Sequence, residues 1–516
     1  MRPKDAPPAS SQHDLSSLDL TIHPSKPTVA EGEQEMTAFI GRQEELRVLT
    51  DAYAGPGSAF IPIYGRRRVG KSELILQLLK ERPGIYLLGK QAPAALQIRE
   101  FLELAAAVLD EPLLATYTTE SWSAALDAVV SRWRSDRKLI LALDEFQWSV
   151  GASPELPSVL QEKWDRQWKR AGNVLLILCG SYIGFMEREV LGKKSPLFGR
   201  RTAQIRLRPF GFREAAQFHP RYSRLDQARA YFLCGGVPLY LRFFSDTRSI
   251  EKNIAEQFLD EYAPLHREGD FLLREELREV ESYYAILLAL ASGHTTNHAI
   301  AGQTGGDARG LHYYLQQLLD LGYLRRRYPL TGEKPAARHV RYELADPLLR
   351  FWFRFVFPHM SYIRHMGPEQ AFKDLIRPHL DAYYGQCFER LCREALPDLY
   401  RREGVHAAFE VGEYWSKATQ IDLVGLREDN WTDLGECKWG TVRSPQAVLR
   451  ELEDKVTAFP NRRGATIGRR IFSRQRPPGA EKLTGVRWHG LEEMYGDERE
   501  APPGRVREEA RGAGRA

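Results

Sequence analysis

The chain has 516 residues, 43% of them hydrophobic and 11% aromatic, enough to bury sizeable cores and to form roughly three or four domains of about 150 residues. Its 73 basic and 68 acidic side chains leave a formal charge of +5, too close to balance to imply a nucleic-acid partner by itself, and no apolar run reaches the ~20 residues needed to cross a bilayer. The five cysteines include no CxxC pair and no Cys/His set at zinc spacing, so reduced thiols are expected, with neither disulfides nor zinc. The start, MRPKDAPPASSQHD, lacks the apolar core of a signal peptide, so a soluble cytoplasmic protein without a membrane partner is expected.

Residues 1–35, rich in Pro, Ser and charge, are expected to be a disordered tail. From 36 to 210, the apolar runs AFIPIY, KLILALD and NVLLILCG alternate with amphipathic stretches such as SELILQLLKE, the pattern of a mostly parallel α/β sheet. The first run leads into Gly65-Arg66-Arg67-Arg68-Val69-Gly70-Lys71-Ser72, a full GxxxxGK[ST] phosphate loop between a strand and a helix. There the glycines turn backbone N–H groups toward the β- and γ-phosphates, and the helix contributes its positive N-terminus. Lys71 is expected to reach the phosphates and Ser72 to ligate Mg²⁺, making ATP and Mg²⁺ the expected cofactors.

KLILALD ends in Asp144 and Glu145. After a phosphate loop, such a pair predicts that Asp144 holds the metal through water and Glu145 polarises the attacking water; the alternative is an acidic cap on a buried strand. Ser181, at the end of the next apolar run, is a candidate γ-phosphate sensor or a simple turn serine.

In chain order, FIGRQEEL, YGRRRVGKSEL, LDEFQW, GSYIGFM, SPLFGRR, LRPFGFREA and GGVPLYL resemble the archaeal and bacterial P-loop ATPases of the AAA/STAND group. That resemblance implies a helical lid over 211–275, Arg42 near the base, Pro238 beside the adenine, and Arg200 or Arg201 as an arginine finger. A finger acting on a neighbouring copy would require a homo-oligomer.

Three helical stretches and a hairpin over 276–345 have the layout of a winged helix. Arg309 and His312 would begin its third helix, with Arg325, Arg326, Arg327, Arg338 and Arg341 on the wing. Such a module either touches DNA, with wing arginines on phosphates, or packs internally. The apolar run DPLLRFWFRFVFP opens a connecting segment, 346–380, expected to plug an interface.

The final domain, 381–496, carries Asp422 on one predicted strand and Glu436 and Lys438 on the next, where a spacing of two puts both side chains on one face. A carboxylate pair there can hold Mg²⁺ while the lysine orients or deprotonates water. The alternatives are an electrostatic Asp–Lys pair, or a nuclease fold kept only for binding. These residues resemble the PD-(D/E)xK nuclease superfamily, and that resemblance implies a restriction-endonuclease-like α/β fold with Glu389 as its helical acid. Gln420 stands where relatives often have glutamate. Residues 497–516 are expected to form a second disordered tail.

The sequence thus predicts an ATP-driven switch acting on DNA, with a signalling ATPase that binds a protein partner as the alternative.

Overall fold

The computed structural model describes residues 39–277, 279–305, 308–333 and 339–496; the two expected tails, Arg338 and the Arg309 side chain lie outside the described residues. Strands β1 (Ala59–Tyr64), β2 (Gly84–Leu88), β3 (Leu139–Asp144), β4 (Val174–Gly180) and β5 (Ile205–Arg206) form an all-parallel sheet in the order β2-β3-β4-β1-β5. Every residue of β1, β3 and β4 is buried, so both faces of these strands are covered. This is why they read as continuous apolar runs rather than alternating ones.

Because the strands are parallel, the residues that follow them gather along one edge, where ligands of open α/β sheets bind. The phosphate loop follows β1, Asp144 ends β3, and Ser181 follows β4, which lies between the other two. Gly65 must be glycine: a Cβ there would stand 2.1 Å from the Leu207 carbonyl oxygen. Gly70, at φ 89°, caps the helix Lys71–Leu79 in the left-handed region that glycine enters without strain.

Helices Phe212–Ala216, Arg224–Cys234, Pro238–Phe243, Ile250–Ile254 and Glu268–Glu276 follow the sheet. Next come helices Val280–Ala291, Asn297–Thr304 and Ala308–Asp320, then an antiparallel ribbon of β6 (Leu324–Arg327) and β7 (Arg341–Leu344). The run after Asp346 is helical, and it is a wedge rather than a linker. Trp352 donates to the His266 carbonyl at 2.7 Å, and the Phe351 ring lies 4.8 Å from that of Phe258. One hydrophobic core runs from Phe212 to Tyr495, so the divisions expected near 275, 345 and 380 fall inside a shared core.

A second sheet, in the order β12-β11-β10-β9-β8, contains β8 (Phe409–Trp415), β9 (Gln420–Arg427), β10 (Trp431–Lys438), β11 (Thr466–Ser473) and β12 (Arg487–His489). The β8–β9 and β9–β10 pairs are antiparallel, whereas β10–β11 and β11–β12 are parallel. Helix Leu380–Arg402 packs against β8, β9 and β10, and helix Pro445–Ala458 connects β10 to β11. Residues 329–330 run along β8, with the Leu330 N–H donating to the Glu413 carbonyl at 2.7 Å. Among the described residues, no helix is long and apolar enough to cross a membrane, and all five cysteines are free.

Candidate functional site

The sheet edge brings the expected nucleotide residues together. Ser72 Oγ donates to Asp144 Oδ2 at 2.6 Å, and Tyr86 donates its hydroxyl to the same oxygen at 2.6 Å. Asp144 Oδ1 accepts the Glu145 backbone N–H at 2.8 Å. Among the described residues, no group of three His, Cys, Asp or Glu side chains is placed to hold a metal. A magnesium site of Ser72, Asp144, water and phosphate oxygens requires none, and this oxygen pair fits that donor set.

Glu145 lies just beyond β3 at φ 47°, in the left-handed region, so it leaves the strand direction. Its carboxylate accepts the Ser181 hydroxyl at 2.7 Å and also the Gln147 amide. The candidate sensor and the candidate water-polarising residue are therefore in direct contact. Lys71 is buried, which holds its pKa below the ordinary value, and its ammonium donates to the Arg66 carbonyl at 3.0 Å.

Arg42 supports the loop from behind. Its guanidinium bonds the Val69 carbonyl at 3.1 Å and the Arg208 carbonyl at 2.6 Å, while lying 3.9 Å from the Phe210 ring centroid. Pro238 approaches the loop at Gly70, where a Cβ would meet its ring at 3.9 Å. The side chains of Arg66, Arg67 and Arg68 pair with Asp346, Glu275 and Glu268.

Arg200 differs from the finger expectation. It is tied to Asp165 at 2.6 Å and to the carbonyls of Pro196 and Phe198 at 2.8 and 3.1 Å, whereas Arg201 is exposed.

The ribbon arginines also differ from a phosphate-binding wing. Arg325 donates to Glu343 at 2.8 Å, Arg327 pairs with Glu413 on β8, and Arg341 lies 4.4 Å from the Trp415 ring centroid. Arg325, Arg350 and Arg327 outweigh burial and hold Glu343 well below the usual carboxylate range. Buried carboxylates drew these cations inward. Arg326 stays exposed and bonds Gln316 at 2.8 Å.

In the second sheet, Leu423 pairs with Gly435, which sets Asp422 beside Glu436 on neighbouring strands. Asp422 Oδ2 accepts the Cys437 N–H at 3.1 Å. Lys438 donates to Glu436 at 2.9 Å and to Glu451 at 2.8 Å, and Lys455 donates to the other Glu436 oxygen at 2.6 Å. Burial, then the Asp422 charge, raises both Glu436 and Glu389, the latter to about 7. Among the described residues these acids are not placed as a three-ligand metal group, and both Glu436 oxygens already accept from lysines. Burial opposes the Lys438 charge, but Glu451 and Glu436 outweigh it and raise its pKa. An ammonium held in that way orients water rather than deprotonating it.

Residues 39–244 match a family described as an ATPase domain predominantly from Archaea, and residues 352–449 match one described as archaeal and bacterial proteins of unknown function. An uncharacterized protein of Methanocaldococcus jannaschii is 29% identical over 451 residues, 85% of this chain and 97% of that protein. The Walker-type ATPase of Pyrococcus abyssi is similar over 61% of this chain and 96% of its own, with 20% identity and a TM-score of 0.44. The Aeropyrum pernix ORC2 protein in ADPNP–ADP complexes is similar over 64% and 98%, with 14% identity and a TM-score of 0.42.

Around the phosphate loop, sequence reasoning missed Tyr86 and Gln147; in the second site it missed Glu451 and Lys455. Gln147, two residues beyond Glu145, carried a local cue. Tyr86 and Lys455 reach their partners only through tertiary packing, so no local pattern marks them.

Proposed function

We propose that the chain is a Mg-ATP-hydrolysing switch acting on DNA, with a metal-dependent phosphodiester site in its C-terminal domain. The nucleotide half rests on the match of residues 39–244 to an ATPase-domain family and on Lys71, Ser72, Asp144 and Glu145 standing at one sheet edge. The observation that carries the DNA half is the grouping of buried Asp422 and Glu436 with half-buried Glu389, and of Lys438 and Lys455 around them. Asp422 and Glu436 would be the residues to hold magnesium, which would supply Lewis acidity. Lys438 would orient water toward a phosphodiester, and Glu389 would add negative charge to hold the metal.

The two halves are in contact. Trp439, directly after Lys438, packs between Phe232 of helix Arg224–Cys234 and Tyr384 and Phe388 of helix Leu380–Arg402, at 5.4, 5.6 and 5.4 Å between centroids. Tyr231 donates to Glu394 at 2.8 Å. A movement of helix Arg224–Cys234 with nucleotide would therefore press on the strand carrying Glu436 and Lys438. The helices and ribbon over 280–344 are read as a winged helix that meets DNA through helix Ala308–Asp320. His312 and Tyr313 are exposed there, with Tyr313 at 60%. Arg201, the exposed neighbour of Arg200, is the finger candidate if the protein assembles with copies of itself.

The lysines on both oxygens of Glu436 favour a second reading, a signalling ATPase whose C-terminal domain only binds a partner. Incubating wild-type, Lys71→Ala and Asp422→Ala proteins with supercoiled and linear DNA and Mg²⁺, with and without ATP, separates the two. Strand breaks lost in Asp422→Ala, with phosphate release intact, support the nuclease reading. Phosphate release by the wild type with no strand breaks in any condition supports the binding-only reading.

A further inference from the structure

Three of the four residues between Gly65 and Gly70 of the phosphate loop are arginines, and each pairs with a carboxylate from far along the chain. Arg68 pairs with Glu268, and Arg67 with Glu275 at 3.4 Å and Glu276 at 3.8 Å. Arg66 pairs with Asp346 and lies 5.5 Å from the Tyr323 ring centroid. The acids are fixed in turn. Glu268 accepts the Tyr240 hydroxyl at 2.8 Å, Glu276 accepts the Tyr323 hydroxyl at 2.8 Å, and Asp346 caps helix Pro347–Phe351 by accepting the Leu349 N–H at 2.8 Å. Three consecutive loop residues thus grip helix Glu268–Glu276, the residue before the ribbon, and the start of the aromatic wedge.

Arg66 is where this grip meets the nucleotide chemistry. Its carbonyl accepts the Lys71 ammonium at 3.0 Å, while its guanidinium holds Asp346. A polyphosphate on the loop requires Lys71 for itself, so the Lys71–Arg66 bond must break. It also brings several negative charges beside these cations and toward the four carboxylates. Asp346 is 1% exposed, so water screens little of that repulsion.

We propose that Arg66, Arg67 and Arg68 form a nucleotide-sensitive latch, in which Glu268, Glu275, Glu276 and Asp346 compete with the polyphosphate of ATP for the loop's cations. Without nucleotide the latch holds the 268–351 segment against the ATPase domain. With ATP it loosens, freeing that segment to change its position. The proposal rests on the reading that ATP binds this loop.

Linkage makes the coupling reciprocal: if ATP weakens the ion pairs, weakening the ion pairs must tighten ATP. In full-length protein, Glu276→Gln and Asp346→Asn remove charge while keeping the Tyr323 and Leu349 bonds available. Each is expected to lower the Kd for Mg-ATP by roughly fivefold or more, measured by calorimetry. Hydrogen exchange on the wild type, which needs no variant to fold, is expected to quicken in 268–276 and 341–351 when ATP saturates the protein. An unchanged or weakened Kd in both variants overturns the latch, as does exchange in these segments that ATP leaves unchanged or slows. If the wild type binds no ATP, the nucleotide reading falls and takes the latch with it. If the wild type binds ATP, Lys71→Ala does not, and both variants match the wild type, the latch alone falls.

Discussion

Ser72 Oγ and Asp144 Oδ2 lie 2.6 Å apart, joining the loop after β1 to the end of β3 although β4 separates the two strands. A cation bound to phosphate would use both oxygens, so Ser72→Ala should raise the Mg²⁺ concentration needed for half-maximal phosphate release. Lys71→Ala should abolish release at any Mg²⁺ concentration. Turnover by Lys71→Ala close to that of the wild type would show that the loop is not the nucleotide site.

Glu145→Gln should retain ATP binding and reduce turnover by about 10²- to 10⁴-fold, the usual contribution of a positioned base. Ser181→Ala should cost less, because Gln147 continues to hold the Glu145 carboxylate. Comparing Kd with kcat in each variant checks this. A Glu145→Gln enzyme within twofold of wild-type turnover would reduce Glu145 to a structural role.

Arg327 and Glu413 form a partly buried pair joined by Arg393 at 3.5 Å from Glu413. Removing one partner leaves a charge without compensation, so Glu413→Ala should destabilise the fold by about 3–5 kcal/mol, whereas Arg327→Met with Glu413→Leu should come close to wild type. Urea unfolding measures both. If Arg327→Ala instead weakened DNA binding with stability unchanged, the inward pairing would not be its main role.

Glu389 titrates near 7 rather than at the usual 4.5, because burial and the neighbouring Asp422 charge disfavour its ionised form. Between those two values the folded chain binds more protons at this position than the unfolded chain. Its contribution therefore makes stability fall as pH rises from about 4.5 to 7. Glu389→Gln should accordingly gain Tm relative to wild type at pH 8 and show no gain near pH 4.5. Mg²⁺ should narrow the gap at pH 8 by compensating the wild-type carboxylate. Thermal scans of both proteins at the two pH values, with and without Mg²⁺, test all three expectations.

Legibility in the sequence followed the range of the forces involved. Strands β1, β3 and β4 were readable because burial on both faces forces continuous apolar runs, and the phosphate loop because its conformation fixes glycine positions locally. The Asp422, Glu436 and Lys438 grouping was readable because strand periodicity and hairpin register are short-range. The inward turn of Arg325 and Arg327 was not. A sequence shows basic residues but not the buried carboxylates, here Glu343 and Glu413, that outcompete solvent or phosphate for them. The shared core across 212–495 was also hidden, since composition marks where elements change but not whether their apolar faces meet.

The Leu330 N–H bond to the Glu413 carbonyl has a consequence for how copies of this protein behave in crowded solution. β8 is the outer strand of its sheet, and an open outer strand offers a template on which a strand from another molecule can align. Residues 329–330 occupy part of that rim, while at the opposite rim β12 is only three residues long. The same contact that docks the ribbon beside the second sheet therefore blunts strand-by-strand aggregation, and shortening the 328–340 connection would expose that rim to it.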